Sequence, residues 1–143
     1  MKAIYVGVIL DAEATEVAPS ATEALLRWWE AEVGEVLPKR VAHHCTLRFR
    51  PTEAELAEYE LGQPTTLRVV GFAHDAGIQA VVVELAGDMR SANAVPHVTV
   101  ATDGVTPPVR ANDLLSAGFT PVDGPVLTGR VGIFDGKTDV FSR

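Results

Sequence analysis

A β-forming segment carrying His-x-Thr and then an apolar residue occurs twice in this chain, as His44-Cys45-Thr46-Leu47 and as His97-Val98-Thr99-Val100. Side chains on a strand alternate between its two faces. His44 therefore shares a face with Thr46, and His97 with Thr99, while Cys45, Leu47, Val98 and Val100 turn the other way. Each segment needs a sheet with one face against a core and one face free to present an imidazole beside a hydroxyl.

The rest of the chain supplies such sheets. Ala3 to Leu10 reads as a strand, rich in Val, Ile and Tyr. Ser20 and Glu23 have capping-box spacing, and Leu25, Leu26, Trp28, Trp29 and Val33 follow at helical intervals. That spacing predicts a helix from Ala21 to Val36, stopped by Pro38. Val41 to Phe49 reads as one strand. Thr52 and Glu55 repeat the capping-box spacing and predict a short helix through Leu61, with Gly62 as its C-cap. Thr65 to His74 and Gly77 to Leu85 predict a hairpin around Asp75-Ala76-Gly77. Pro96 to Ala101 is a further strand. Asn112 is expected to cap a helical turn from Asp113 to Ala117, closed by Gly118. Val126 to Phe134 and Thr138 to Phe141 predict a last hairpin around Asp135-Gly136-Lys137. The class is α+β, with helices packed on largely antiparallel sheet.

At 143 residues the chain is expected to be one domain spanning 1-143. No apolar run is long enough to cross a membrane. The first residues lack the layout of a signal peptide, and the lone Cys45 excludes an internal disulfide, so a cytoplasmic location and a monomer are expected. The net charge of −7 argues against tight binding to long nucleic acid, which depends on basic surface. It leaves room for a small phosphorylated substrate held by a few local cations.

Two imidazole–hydroxyl pairs facing one another have the parts that phosphodiester cleavage needs. A nucleophile must lose a proton while the leaving oxygen gains one, and histidine serves either way near neutral pH. His44 and His97 are the candidate catalytic groups. Thr46 and Thr99 are candidate donors to the phosphoryl oxygens. Arg48 continues the His44 face and is a candidate for holding substrate phosphate. The scheme requires no metal and no other cofactor.

With their strand context, the two motifs resemble the paired signatures of the 2H phosphoesterase superfamily. The stretch Pro96-His97-Val98-Thr99-Val100-Ala101-Thr102, followed by Gly104, Pro108-Val109, Asn112 and Leu114-Leu115, is similar to the cyclic phosphodiesterase domain of fungal and plant tRNA ligases. The resemblance implies a two-lobed, pseudo-symmetric fold with one His-x-Thr from each lobe at a central cleft. It also implies opening of a 2′,3′-cyclic phosphate to leave a 2′-phosphate. By that resemblance His44, Thr46, His97 and Thr99 carry over as the catalytic four.

The remaining candidates have plainer readings. His43 should point opposite to His44 and is assigned a structural role. His74, at a hairpin turn, is expected to be exposed. Cys45 is expected to be a small buried residue, and Thr102 to be structural. His43, His44, Cys45, His74 and His97 lack zinc-site spacing. At least one of Trp28 and Trp29 belongs to the core, and Tyr5 is either core or cleft lining. The sequence reading is thus a metal-independent cyclic phosphodiesterase acting on an RNA 3′ end or a small nucleotide. The alternatives are a binding module for phosphorylated nucleotides or RNA ends, and an RNA ligase of the same superfamily.

Overall fold

The computed structural model describes residues 3–142. Its first element, β1 (Tyr5–Leu10), is buried along its whole length. Ser20 then caps α1 (Ala21–Glu32), its hydroxyl accepting from the Glu23 N–H at 3.0 Å. Leu25 and Trp29, one turn apart on a single stripe, have no exposed surface. The helix stops short of the expected Val36. Val33 and Gly34 both turn their N–H groups back to the Trp29 carbonyl, and Gly34 has a positive φ of 152°. That glycine, not Pro38, ends the helix.

The strand expected over Val41 to Phe49 begins only at His44, as β3 (His44–Phe49), and a separate short strand, β2 (Lys39–Arg40), precedes it. The break is Ala42, whose φ of +39° lies in the left-handed region that costs a Cβ-bearing residue roughly 1–2 kcal/mol. Long-range bonds hold it there. Its N–H is shared between the Thr99 and Val100 carbonyls, and its carbonyl accepts from the Thr22 hydroxyl at 2.8 Å.

The capping box of Thr52 and Glu55 forms in full, but α2 (Glu53–Leu56) is a single turn and does not reach Leu61. β4 (Pro64–His74) and β5 (Ile78–Leu85) make the expected hairpin. Its turn is tied by Asp75, whose carboxylate accepts from the N–H groups of Gly77 and Ile78. β6 (His97–Thr102) follows. A 3-10 turn, Pro108–Arg110, leads into α3 (Ala111–Ser116). Asn112 is inside that helix rather than its cap, and its amide donates to the Val109 carbonyl at 3.2 Å. A short β7 (Thr120–Pro121) precedes the hairpin of β8 (Val126–Phe134) and β9 (Asp139–Val140).

Every strand pairing is antiparallel, and six strands close on themselves in the order β4-β5-β6-β3-β1-β8, with β8 returning to β4. The α+β class and antiparallel character agree with the sequence reading. Closure removes the edges that open sheets leave unpaired. The main core gathers one face of each strand in this ring, including Val6, Val8, Leu47, Val69, Val81, Val98 and Val131, together with Leu25 and Trp29 of α1. β5 is buried on both faces: Ile78, Ala80 and Val82 turn away from this core and carry Ala111 and Leu115 of α3. No helix among the described residues is long and apolar enough to cross a membrane.

Candidate active site

β3 lies between β1 and β6, and its two neighbours treat it differently. Towards β1 the register runs Ile9↔His44, Val8↔Cys45, Gly7↔Thr46. Towards β6 only Cys45↔Val98 is paired. Earlier in the chain, pairing with β6 is found at Arg40↔Ala101. Between those two positions one side carries Val41 to His44 and the other only Thr99 and Val100, so the β3 side bulges. Bulges re-aim side chains, and this one ends in His43 and His44. Beyond Cys45, a loop takes the place of β6: the Ser91 hydroxyl donates to the Thr46 carbonyl at 2.8 Å, and the Ala92 N–H to the Leu47 carbonyl at 2.7 Å.

The alternation expected of the motifs is present. Cys45, Leu47, Val98 and Val100 have no exposed surface and belong to the core. His44 and Thr46 are half-buried on the opposite face, and His97 and Thr99 are each 9% exposed. The four motif side chains thus lie on one face, on either side of the single Cys45↔Val98 pair where the ring is most thinly joined. On that face α3 covers the adjoining part of β5, whose Val82 and Ala80 are the register partners of His97 and Thr99.

His44 has the more crowded surroundings. The Tyr5 ring lies on its imidazole, with centroids 4.2 Å apart and planes 16° from parallel. The Tyr5 hydroxyl is 3.1 Å from His44 Nδ1. His43 does not point away as strand alternation predicts, because it precedes β3 and follows the Ala42 kink. Its ring meets that of His44 edge-on, with the two Nδ1 atoms 3.0 Å apart. His43 Nε2 is 2.9 Å from the Asp139 carboxylate. Burial, and then repulsion from His43 and His97, push the His44 pKa down to about 3, so its imidazole is neutral at ordinary pH. Burial raises the Tyr5 phenol, with help from Asp139, so its hydroxyl keeps its proton.

His97 is simpler. Its Nδ1 is 2.8 Å from the Val95 carbonyl, which can only accept, so Nδ1 carries a hydrogen and Nε2 is the atom left for chemistry. Arg48 does not continue the motif face as expected. Leu47 is an extra residue in the register with β1, which runs Gly7↔Thr46 and then Val6↔Arg48, so Arg48 sits opposite core-facing Val6. Its guanidinium donates to Glu55 at 2.7 Å and also bonds Tyr59, which packs against the main core. It borders a depression of about 800 Å³ whose walls include Tyr59, Glu60, Thr65, Arg90 and Ser91, and none of the four motif residues. Ser91, which donates to the Thr46 carbonyl, places that depression beside the first motif strand.

Other candidates fall where the sequence places them. The Cys45 thiol is buried away from the site and pushed up to about 12 by that burial. His74 is exposed, stacked on Phe72 and edge-on to Trp29. Thr102 is buried, its hydroxyl accepting from the Gly104 N–H. Among the described residues no three His, Cys, Asp or Glu side chains are arranged to hold a metal ion. Sequence reasoning missed His43 and Asp139 as neighbours of His44. The adjacency of His43 to His44 was a usable signal, whereas nothing in the sequence joins Asp139 to position 43.

Comparison with known proteins places this geometry in context. A family model described as the fungal tRNA ligase phosphodiesterase domain matches residues 39–125, more than half of the chain and the stretch that holds both motifs. No curated protein matches the chain.

Proposed function

Because the chain belongs to the fungal tRNA ligase phosphodiesterase domain family, we propose that it opens a 2′,3′-cyclic phosphate on an RNA 3′ end or a small nucleotide, using His44 and His97 as base and acid. Family membership sets the chemistry at phosphodiester hydrolysis. The observation that carries the finer reading is the convergence of His44, Thr46, His97 and Thr99 on one face around Cys45↔Val98.

The two histidines take different roles because their surroundings differ. His44 is neutral and enters with a lone pair, so it serves as the base. Water attacks phosphorus and gives its proton to His44 Nε2. The bond from phosphorus to the ribose 3′ oxygen breaks, and that oxygen takes its proton from Nε2 of His97, which enters as imidazolium with Nδ1–H held by the Val95 carbonyl, leaving a 2′-phosphate and a neutral His97. An anionic phosphate between the rings favours imidazolium and strengthens His44 as an acceptor. The Thr46 and Thr99 hydroxyls donate to the non-bridging oxygens, where charge builds up. Arg48 holds the part of the substrate that extends into the neighbouring depression. No step uses a metal.

The ring divides into two three-stranded halves, β3-β1-β8 and β4-β5-β6, and we read these as the two pseudo-symmetric lobes. The single paired position between β3 and β6 supports that division, as does the presence of one His-x-Thr in each half. The acidic chain suits a monomer in the cytoplasm that grips a short end rather than a long nucleic acid.

The test is a panel of 2′,3′-cyclic mononucleotides, RNA with a cyclic phosphate end, and ADP-ribose cyclic phosphate. Products are identified by mass and phosphorus NMR, with and without EDTA. At least one substrate should be opened in EDTA, and His44→Ala and His97→Ala should each lower kcat by about 10²–10⁴. Full turnover by both variants overturns the mechanism. Binding without product would make the cleft a recognition module.

A further inference from the structure

A chain of polar contacts leads away from His44 and ends at a carboxylate. Asp139 on β9 is 2.9 Å from His43 Nε2. His43 Nδ1 is 3.0 Å from His44 Nδ1, and the Tyr5 hydroxyl lies within 3.4 Å of the first and 3.1 Å of the second. The three supporting residues come from β1, from the bulge before β3 and from the C-terminal hairpin, so the contacts are assembled by the fold and not by neighbouring sequence alone. We infer that Asp139 and His43 are positioning residues that fix the tautomer of His44, so that Nδ1 carries its hydrogen and Nε2 presents a lone pair to the substrate. This rests on the reading of His44 as the base.

With His43 neutral, the hydrogen-bond inventory sets the direction. An ionised carboxylate only accepts, so His43 Nε2 carries a hydrogen and donates to Asp139. In neutral His43 the Nδ1 atom is then a bare acceptor. If His44 Nδ1 were also bare, two lone pairs would face each other at 3.0 Å, and the one Tyr5 hydroxyl hydrogen could serve only one of them. With a hydrogen on His44 Nδ1 every group is matched. That hydrogen is donated to the Tyr5 oxygen at 3.1 Å, and the Tyr5 hydroxyl donates on to His43 Nδ1 at 3.4 Å. The Tyr5 ring, stacked on His44, holds the imidazole plane in the orientation these contacts need. As His44 takes a proton at Nε2, the new positive charge is borne next to a chain that ends at Asp139.

The titratable groups facing His44 are His43 from the bulge, Tyr5 from β1 and His97 from β6, with Asp139 behind His43. The His43–Asp139 pair is about one-third exposed. Its value to stability is therefore small, and its effect on orientation is what a measurement should detect.

The deciding measurement is the protonation pattern of the His44 ring, read by long-range nitrogen–proton NMR on the whole ¹⁵N-labelled chain at neutral pH. Wild type should show the Nδ1–H form. His43→Phe, which keeps a ring but offers no acceptor, and Asp139→Ala, which frees the His43 tautomer, should shift His44 towards the Nε2–H form. His43→Asn, whose carbonyl oxygen can replace Nδ1 as acceptor, should restore the wild-type pattern. On a cyclic mononucleotide, His43→Phe and Asp139→Ala should lower kcat about tenfold or more with KM little changed, and should move the acid limb of the kcat–pH profile. His43→Asn should recover most of the rate. An Nε2–H form in the wild-type ring overturns the inference, as does a pattern unchanged in both variants. The NMR result needs no turnover. A tautomer shift in a chain that opens no cyclic phosphate would leave the positioning contacts standing and remove the hydrolase reading, while turnover with an unshifted ring would do the reverse.

Discussion

The Tyr5 ring lies nearly parallel to the His44 imidazole at a centroid distance of 4.2 Å, and its hydroxyl reaches His44 Nδ1. One side chain thus acts on the histidine in two ways, through its face and through its oxygen. The two are separable. Tyr5→Phe keeps the stack and loses the hydroxyl's contacts to His44 and His43. With about 1 kcal/mol of that loss felt at His44, kcat should fall about fivefold with little change in Tm. Tyr5→Ala also removes a buried ring and should cost about 3–5 kcal/mol of stability. Steady-state kinetics alongside thermal melts check both. Equal kcat losses for the two variants with no difference in Tm would contradict the stacking role.

His44 should make the fold sensitive to mild acid. Its folded pKa is depressed to about 3 while the unfolded chain retains the ordinary value of about 6.5. Between those values the unfolded state binds the extra proton, so stability rises with pH. The contribution is complete above about pH 6.5 and is lost as the pH falls towards 3, by an amount of the order of a few kcal/mol. Thermal melts from pH 7.5 to 4 should show a falling Tm, and His44→Gln should flatten that slope. An equal slope in both proteins would rule out His44 as its source.

Gly7 is the point where β1 presses on the strand carrying the first motif. A Cβ there would sit 2.6 Å from the Cys45 carbonyl oxygen, which is backbone and cannot swing aside. Gly129, on the other side of β1, is just as tight, with a Cβ 2.5 Å from the Ile9 carbonyl oxygen. Each substitution to Ala should cost about 1–3 kcal/mol and lower Tm by about 5–10 °C. Only Gly7→Ala pushes directly on β3, beside Thr46. At a temperature where both variants are folded, it should lower kcat more than Gly129→Ala does. Matching kcat values would mean that β3 absorbs the displacement.

Arg48 should act on binding more than on turnover. It stands two residues beyond Thr46, turned off the motif face by the bulge at Leu47, and it borders the adjoining depression, where Glu55 already holds its guanidinium. Arg48→Ala should raise KM for an oligonucleotide end about tenfold, with a smaller effect on a cyclic mononucleotide that does not extend so far. A fall in kcat with KM unchanged on both substrates would instead place Arg48 at the reacting phosphate.

Much of this was legible because it is local. Asp75-Ala76-Gly77 and Asp135-Gly136-Lys137 carry their own turn chemistry, and both hairpins form around them. Thr52 and Glu55 need only each other to cap a helix. The alternation that buries Cys45 and Val98 follows from the strand period alone. The errors arise where distant backbone overrides a local preference. Nothing near Ala42 announces a positive φ: the carbonyls of Thr99 and Val100 and the hydroxyl of Thr22 hold it there. That one kink takes Val41 to His43 out of a predicted strand and brings His43 round to His44.

The linear pattern alone is enough to set the chemical content of the candidate site. Two His-x-Thr segments of β-forming residues must each present an imidazole and a hydroxyl on the face opposite the core, because side chains alternate whatever the neighbouring strand is. Only the tertiary structure decided that the two segments meet. A single register position, Cys45↔Val98, joins them, while a bulge on one side and the Ser91–Ala92 loop on the other keep the strands from pairing further. It also decided how the two histidines differ. His97 takes its hydrogen-bond partner from Val95, two residues away, whereas His44 takes its partners from β1 and from the bulge, with the C-terminal hairpin behind. Strand register, burial and the partner of a ring nitrogen are set by contacts between residues far apart in the chain, and a linear pattern carries no record of them.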